Sequence, residues 1–430
     1  MRIRKLFADG AHVLVVRMLT VASGAAVSII VSRALGPAGR GTYAIPGISA
    51  ALAATLFAGL STTIAASMLN DRTGRGALRA GFIAAVPLVA VAMAGVVGVA
   101  ALMHQLWAAP FAVAVLPFMA ISAIVNGFGY GVKNVRGVAL YALSISISIL
   151  LFLSAAFLLG NRTSTSAIVV WLAANGFAAI AGMAIVIRSA RSLPGESVAT
   201  WPFVKYALRV GATGLVSMLN YRVDVYIVAF YLSHAALGLY TTAVSAAETL
   251  FVAAQVGSIV TAPHIGSFST EEAARFTARC VRNNLAVITL LSGFAAIVAP
   301  WVVVLLFGEA FAPAVTPLRV LLIGIVPMSM AGIIASYYTL KTRQPHIPLA
   351  ITGSSAVLCA IISAFLVPRF GIVGAATGTA VSYAASIVFM IAYFSHQTKI
   401  SVSRIVLPQL EDLRGYRMLL AALLRRPAAG

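Results

Sequence analysis

Twelve long apolar runs constrain this chain more than any other feature of its sequence. They cover residues 11–35, 43–69, 80–103, 110–131, 137–159, 167–187, 210–232, 237–260, 285–307, 315–340, 347–367 and 372–394. Each is close to the roughly 20 mostly apolar residues that carry a helix across a bilayer. A backbone in lipid has no water to bond, so continuous runs without strict alternation specify α-helices and disfavour a β-barrel. At 430 residues a soluble chain would form two or three domains. Composition overrules that: 61% of residues are hydrophobic and 9% charged, against about a quarter charged in a soluble protein. The mean hydropathy of +1.00 agrees. The expected fold is an all-α polytopic membrane protein. A soluble enzyme, a disordered chain and a collagen-like repeat are excluded.

Thirty Lys and Arg against ten Asp and Glu give a formal charge of +20. Of these cations, 23 fall in segments on the side that holds the N-terminus. The opposite side has three, Arg40, Arg162 and Arg369, and four lie inside spans: Arg17, Arg33, Arg222 and Arg319. This asymmetry places both termini in the cytoplasm. It also explains most of the net charge without nucleic acid as a partner. Arg2, Arg4 and Lys5 could open a signal peptide, but the apolar run behind them continues to Leu35 without a convincing cleavage site. An uncleaved first helix is expected. The connections opposite the termini, such as Gly36–Thr42 and Gly308–Ala314, are too short for an external catalytic domain. Cys280 and Cys359 fit neither a disulfide framework nor a zinc site, and there is no GxxxxGK[ST] phosphate loop. No metal, cofactor or enzymatic activity is expected. In the tail, Leu413, Tyr416, Leu420 and Leu424 share a helical face, which suggests an amphipathic helix lying on the inner leaflet.

The chain repeats itself weakly. Leu35-Gly36-Pro37-Ala38-Gly39-Arg40-Gly41-Thr42-Tyr43-Ala44 matches Leu232 to Thr241 at an offset of 197, with the leucine, the Gly-x-Tyr and the next small residue in common. Leu116-Pro117-Phe118-Met119 echoes Val326-Pro327-Met328-Ser329 at an offset of 210. The expected organisation is an N-lobe over 1–187, an interfacial linker over 188–209, a C-lobe over 210–394 and a cytoplasmic tail over 395–430. With six spans each, the lobes are parallel repeats about an axis along the membrane normal, and they suit alternating access around a central cavity.

Leu35–Ala44, Tyr221–Val225, Gly238–Leu250, Leu306–Pro327 and Gly371–Tyr383 resemble bacterial polysaccharide-biosynthesis transporters. These are the O-antigen and exopolysaccharide repeat-unit flippases of the multidrug/oligosaccharidyl-lipid/polysaccharide exporter superfamily. The Gly-Arg-Gly-x-Tyr segment is the most specific piece. The resemblance implies transfer of an undecaprenyl-diphosphate oligosaccharide from the inner to the outer leaflet of the bacterial cytoplasmic membrane. It implies three partners: that lipid-linked oligosaccharide with its diphosphate headgroup, membrane lipids, and the polysaccharide polymerase machinery. The alternative cargo is a drug or metabolite. Multidrug relatives commonly carry a carboxylate in the first helix, whereas this first span has Arg17 and no Asp or Glu.

A charge at mid-bilayer costs roughly 2.5–3.5 kcal/mol on insertion scales, so it normally faces the bundle interior or a wet cavity. At 1.5 Å per residue, Arg222 and Asp224 lie about 18 and 21 Å into their span, Glu248 reaches a similar depth from the other side, and Arg17 is about 9 Å in. Arg33 and Arg319 are near enough to the outer surface to snorkel. Arginine offers a bidentate fork to phosphate oxygens. Arg17, Arg222 and Arg33 are therefore the expected ligands of an anionic headgroup, and Asn126, Asn175, Asn220, Tyr221 and Gln255 those of sugar hydroxyls. Asp224 and Glu248 either couple transport to an ion or form structural ion pairs, Arg222 with Glu248 among them. Pro46, Pro87, Pro117, Pro300 and Pro327 are expected to kink their helices. Gly127/Gly131 and Gly374/Gly378 are expected to make close helix contacts.

Overall fold

The computed structural model describes residues 2–70, 73–193, 195–196 and 198–409, with the backbone alone at 2–11 and 14. The expected amphipathic helix of the tail lies outside these residues. No strand occurs among them. The α-helices are α1 (Arg2–Asn70), α2 (Gly74–Leu102), α3 (Ala109–Gly131), α4 (Val135–Leu158), α5 (Ser164–Ala190), α6 (Thr200–Tyr231), α7 (His234–Ser267), α8 (Thr270–Phe307), α9 (Val315–Met328), α10 (Ala331–Ser336), α11 (His346–Thr398) and α12 (Val402–Val406). Nine helical segments among the described residues are long and apolar enough to cross a membrane, so the chain is a multi-pass membrane protein. Helix α6, which carries Lys205, Arg209, Arg222 and Asp224, is not among the nine. The residues form two compact units, Met1–Thr242 with Val303–Ala314, and Ala243–Val302 with Val315–Gly430.

Within the first unit, α1 packs along α3, α4 and α6. It is two arms joined at Gly36, whose φ of 66° and ψ of −177° form the single non-helical point. That backbone is open almost only to glycine. Pro37 then starts the second arm, where its missing N–H has no helical partner to lose. This overturns the expected loop over Gly36–Thr42, because one residue makes the whole corner. Phe57, Leu60 and Ile64 of the second arm form a core with Leu88 of α2 and Leu116 and Ile124 of α3. The small residues sit where backbones meet. A Cβ on Gly127 would lie 2.7 Å from the Ser61 carbonyl oxygen, and one on Gly131 would lie 2.6 Å from Met68 Sδ.

The contact between α1 and the start of α7 is reciprocal. A Cβ on Gly41 would lie 1.8 Å from the His234 oxygen and 3.0 Å from Gly238 N; one on Gly238 would lie 1.9 Å from the Pro37 oxygen and 3.0 Å from Gly41 N. Pro37 and His234, like Gly41 and Gly238, are 197 apart. Paired positions thus exchange the same contacts, as a local two-fold axis requires. The offset of 210 also has a backbone counterpart. Lys133 and Arg343 are both non-glycine residues at positive φ, 59° and 56°. The next residues, Asn134 and Gln344, donate their N–H groups back to Gly129 and Tyr338 in the manner of a left-handed helix cap. The second bond spans one residue more because a π-turn over Tyr337–Lys341 precedes it.

In the second unit α11 folds back on itself at Gly371 (φ 57°, ψ −139°). Its arms touch where a Cβ on Gly378 would meet Ser363 Oγ at 2.3 Å. The expected span 315–340 is interrupted. Helix α9 ends after Pro327, and Asn284 of α8 donates to the Ser329 carbonyl at 2.8 Å in the break. Pro46, Pro87, Pro117 and Pro300 instead lie inside continuous helices. Pro300 has no N–H for the carbonyl of Ala296, and Arg319 Nε supplies a donor to that oxygen at 2.9 Å. If the bond serves this purpose, Arg319→Ala should cost about 1–3 kcal/mol of thermal stability in detergent. The cost should largely disappear in a Pro300→Ala background, where the helix supplies its own donor. Equal losses in both backgrounds would show the two residues to be uncoupled.

Candidate functional site

The expected site residues divide by burial and by what already holds them. Arg17 is exposed on the first arm of α1, between exposed Met18 and Leu19 on one side and buried Val16 on the other. Arg33 is exposed too, but its guanidinium is engaged. Nε donates to the Leu306 carbonyl at 2.8 Å and Nη2 donates to that of Leu305. Those oxygens belong to the last turn of α8, which has no intrahelical donors of its own. Asn126 of α3 is half-buried. Asn175 of α5 is buried, and its amide donates to the Trp171 carbonyl one turn back at 2.8 Å.

Helix α6 collects four of the expected residues. Asn220 and Asp224 lie one turn apart and are 2% and 3% exposed, so they share the face turned into the protein. Tyr221 and Arg222 are half-buried. Asp224 is held on both oxygens: Oδ1 accepts from the Val225 N–H at 2.8 Å, and Oδ2 accepts from the hydroxyl of Tyr240 on α7. Two residues further on, Tyr226 donates its hydroxyl to the Ile48 carbonyl at 2.8 Å, tying α6 to the second arm of α1. Glu248 and Gln255, both half-buried, lie on α7 in the second compact unit. Within the first unit the structure therefore joins Asp224 to a tyrosine. Tyr240 is the counterpart of Tyr43 at the offset of 197.

One cation was misplaced by sequence reasoning. Arg40, expected at the outer surface, is 6% exposed. Its Nη1 reaches the Ser28 carbonyl and hydroxyl, each at 2.8 Å, and Ser32 Oγ at 2.6 Å. Its Nη2 lies 3.4 Å from the Thr241 carbonyl, and its guanidinium carbon is 5.9 Å from the centre of the Phe307 ring. A buried charge needs such partners. The available signal was the pair of serines 8 and 12 residues earlier, which come within reach only because the chain reverses at Gly36. No cluster of three or more metal-ligating side chains occurs among the described residues.

The Asp224–Tyr240 bond can be tested as a structural element. Tyr240→Phe should lower the stability of the detergent-solubilised protein by about 1–3 kcal/mol, because it withdraws a donor from a buried carboxylate. Adding Asp224→Asn should recover part of that loss. Additive losses in the thermal midpoint would argue against direct coupling.

A family model described as polysaccharide biosynthesis protein matches residues 30–316. No curated protein matches the sequence. Among solved structures, the chain is similar to an inward-facing conformation of a multidrug resistance MATE family transporter of the MOP superfamily. The identity is 16%, the match covers 92% of this chain and 98% of that one, and the TM-score is 0.71. It is also similar to the lipid II flippase MurJ in an inward closed conformation, at 13% identity, 99% and 94% coverage and a TM-score of 0.69. A MOP superfamily transporter from Pyrococcus furiosus matches at 15% identity, 92% and 94% coverage and a TM-score of 0.63. At such identities these likenesses establish the fold.

Proposed function

This chain belongs to the polysaccharide biosynthesis protein family, and from that premise we propose that it flips undecaprenyl-diphosphate-linked oligosaccharides from the cytoplasmic to the outer leaflet of the bacterial inner membrane. Its fold is that of transporters and flippases rather than enzymes. The observation that carries the reading is the family match over residues 30–316, in a chain whose membrane segments hold cations. The likeness to a protein named as a lipid II flippase supports a lipid-linked cargo. A drug or metabolite exporter is the second reading, favoured by the likeness to a multidrug transporter. The lack of a carboxylate in residues 11–35 speaks against it.

The proposed topology has twelve crossings: the nine apolar segments, the additional arms that Gly36 and Gly371 create in α1 and α11, and α6. Both termini lie in the cytoplasm, and two six-helix lobes alternate access to a central cavity. A diphosphate headgroup is anionic, and its passage through a low-dielectric core is eased by fixed cations along the route. Arg222 takes this role from deep in its span, about 18 Å in, and Arg17, about 9 Å in, takes it nearer the entry. Arg33 would receive the headgroup at the outer end only by giving up its carbonyls on α8. The prenyl tail stays in lipid throughout, where it needs no polar partner.

Arg17→Ala and Arg222→Ala are each expected to reduce export of surface polysaccharide at least tenfold in a complementation assay, with protein abundance near normal. Wild-type export by both variants would remove the cationic route. Reporters fused after Gly195 and after Gly430 should both read as cytoplasmic, and an external signal from either would break the twelve-crossing topology.

A further inference from the structure

Helices α1 and α6 touch backbone to backbone, then part. A Cβ on Gly59 would lie 1.9 Å from the Ala207 carbonyl oxygen and 2.7 Å from Gly211 N, while one on Gly211 would lie 2.8 Å from the Leu56 oxygen. Beyond this crossing, the last two turns of α1 and the first two of α6 line an open cleft of about 430 Å³ within the first compact unit. That is in the range of small-molecule sites, roughly 300–1,000 Å³. In the proposed topology it opens at the cytoplasmic face, where a cargo made inside the cell would first be met.

Its lining has a definite chemistry. It includes the aromatic residues Phe203, which is 4% exposed, and Tyr206, the polar residues Thr63, Ser67, Asn70 and Thr73, and the apolar residues Ala66, Val198, Ala199 and Pro202. Thr63 and Thr73 spend their protons on the carbonyls of Gly59 (2.7 Å) and Ser67 (3.2 Å), which leaves their oxygens as acceptors. The side chains of Ser67, Asn70 and Tyr206 make no hydrogen bond among the described residues, so donors and acceptors remain uncommitted at the wall. None of the described lining residues carries a formal charge. Among the described lining residues, a phosphate or a zwitterionic headgroup would find no counter-ion. A neutral ring with hydroxyls on its edge and C–H bonds on its faces would find both kinds of partner.

We infer that this cavity binds a neutral pyranose of the lipid-linked oligosaccharide, and so reads the sugar separately from the cationic route that carries the diphosphate. The inference rests on the flippase reading above. Ser67, Asn70 and Tyr206 bind the sugar hydroxyls, and the Tyr206 ring covers its apolar face.

The test uses the full chain in nanodiscs and four probes: bare undecaprenyl diphosphate and the same lipid bearing glucose, galactose or N-acetylglucosamine. The wild type should bind at least one sugar-bearing lipid five-fold or more tighter than the bare one. Asn70→Ala and Tyr206→Phe, both at exposed positions, should erase that preference without changing affinity for the bare lipid. Ser67→Leu, which removes a hydroxyl and narrows the cavity, should do the same if it folds. Equal wild-type affinity for all four lipids, or a preference that survives both Asn70→Ala and Tyr206→Phe, overturns the inference and leaves the flippase reading standing. Failure of the wild type to bind any of the four, the bare lipid included, overturns the flippase reading and this inference with it.

Discussion

Close approach of backbones through glycine is the constraint on which the rest of this structure depends. Lipid tails are as apolar as leucine, so helices in a membrane gain little by hiding leucine from lipid and must associate through van der Waals contact and hydrogen bonds. Gly41 with Gly238 and Gly59 with Gly211 let α1 lie against α7 and α6 at distances that any Cβ would forbid. The first pair brings α7 to α1 near the corner at Gly36, close to the point where Arg40 finds Thr241. The second sets the crossing from which α1 and α6 diverge. Without these contacts the hydroxyls, carbonyls and cations described above would lack the neighbours that hold them.

The all-helical membrane fold was legible because lipid leaves a backbone few options. The pairing of distant segments was legible for a narrower reason. Leu35–Ala44 and Leu232–Thr241 share a glycine and a tyrosine at the same spacing, and the structure puts those glycines against each other. The tyrosines are bound differently: Tyr240 serves the Asp224 carboxylate, while Tyr43 packs with Val31, Leu153 and Phe157. A repeat in sequence therefore marked a repeat in backbone contact and left side-chain chemistry free to diverge.

Arg40 shows why the side-chain chemistry was harder to read. Counting charge by loops assigns an arginine to water whenever it follows Gly-Pro, and here the corner consumes one residue, so the supposed loop is helix. The arginine then lies opposite Ser28 and Ser32 across the hairpin. Arg33 and Arg319 carry the same lesson. Each looked like a side chain reaching for the surface, and each donates to a carbonyl of α8 that lacks its own partner. A proline at one position creates the need that an arginine on another helix meets, and no local pattern in sequence reveals such a link. Asp224 was recognisable as costly from its depth alone, but only the folded chain brings Tyr240 to it.

Pro117 and Pro327 lie 210 residues apart within similar short sequences, yet one sits in an unbroken helix and the other in a jointed one. Helix α3 runs from Ala109 to Gly131 without interruption, whereas its counterpart is divided by the Ser329–Met330 turn and ends in a π-turn. A rod passes bending along its length, while a jointed element absorbs it at the joint. The two elements therefore differ in continuity, and bending of the second has a joint at which to concentrate.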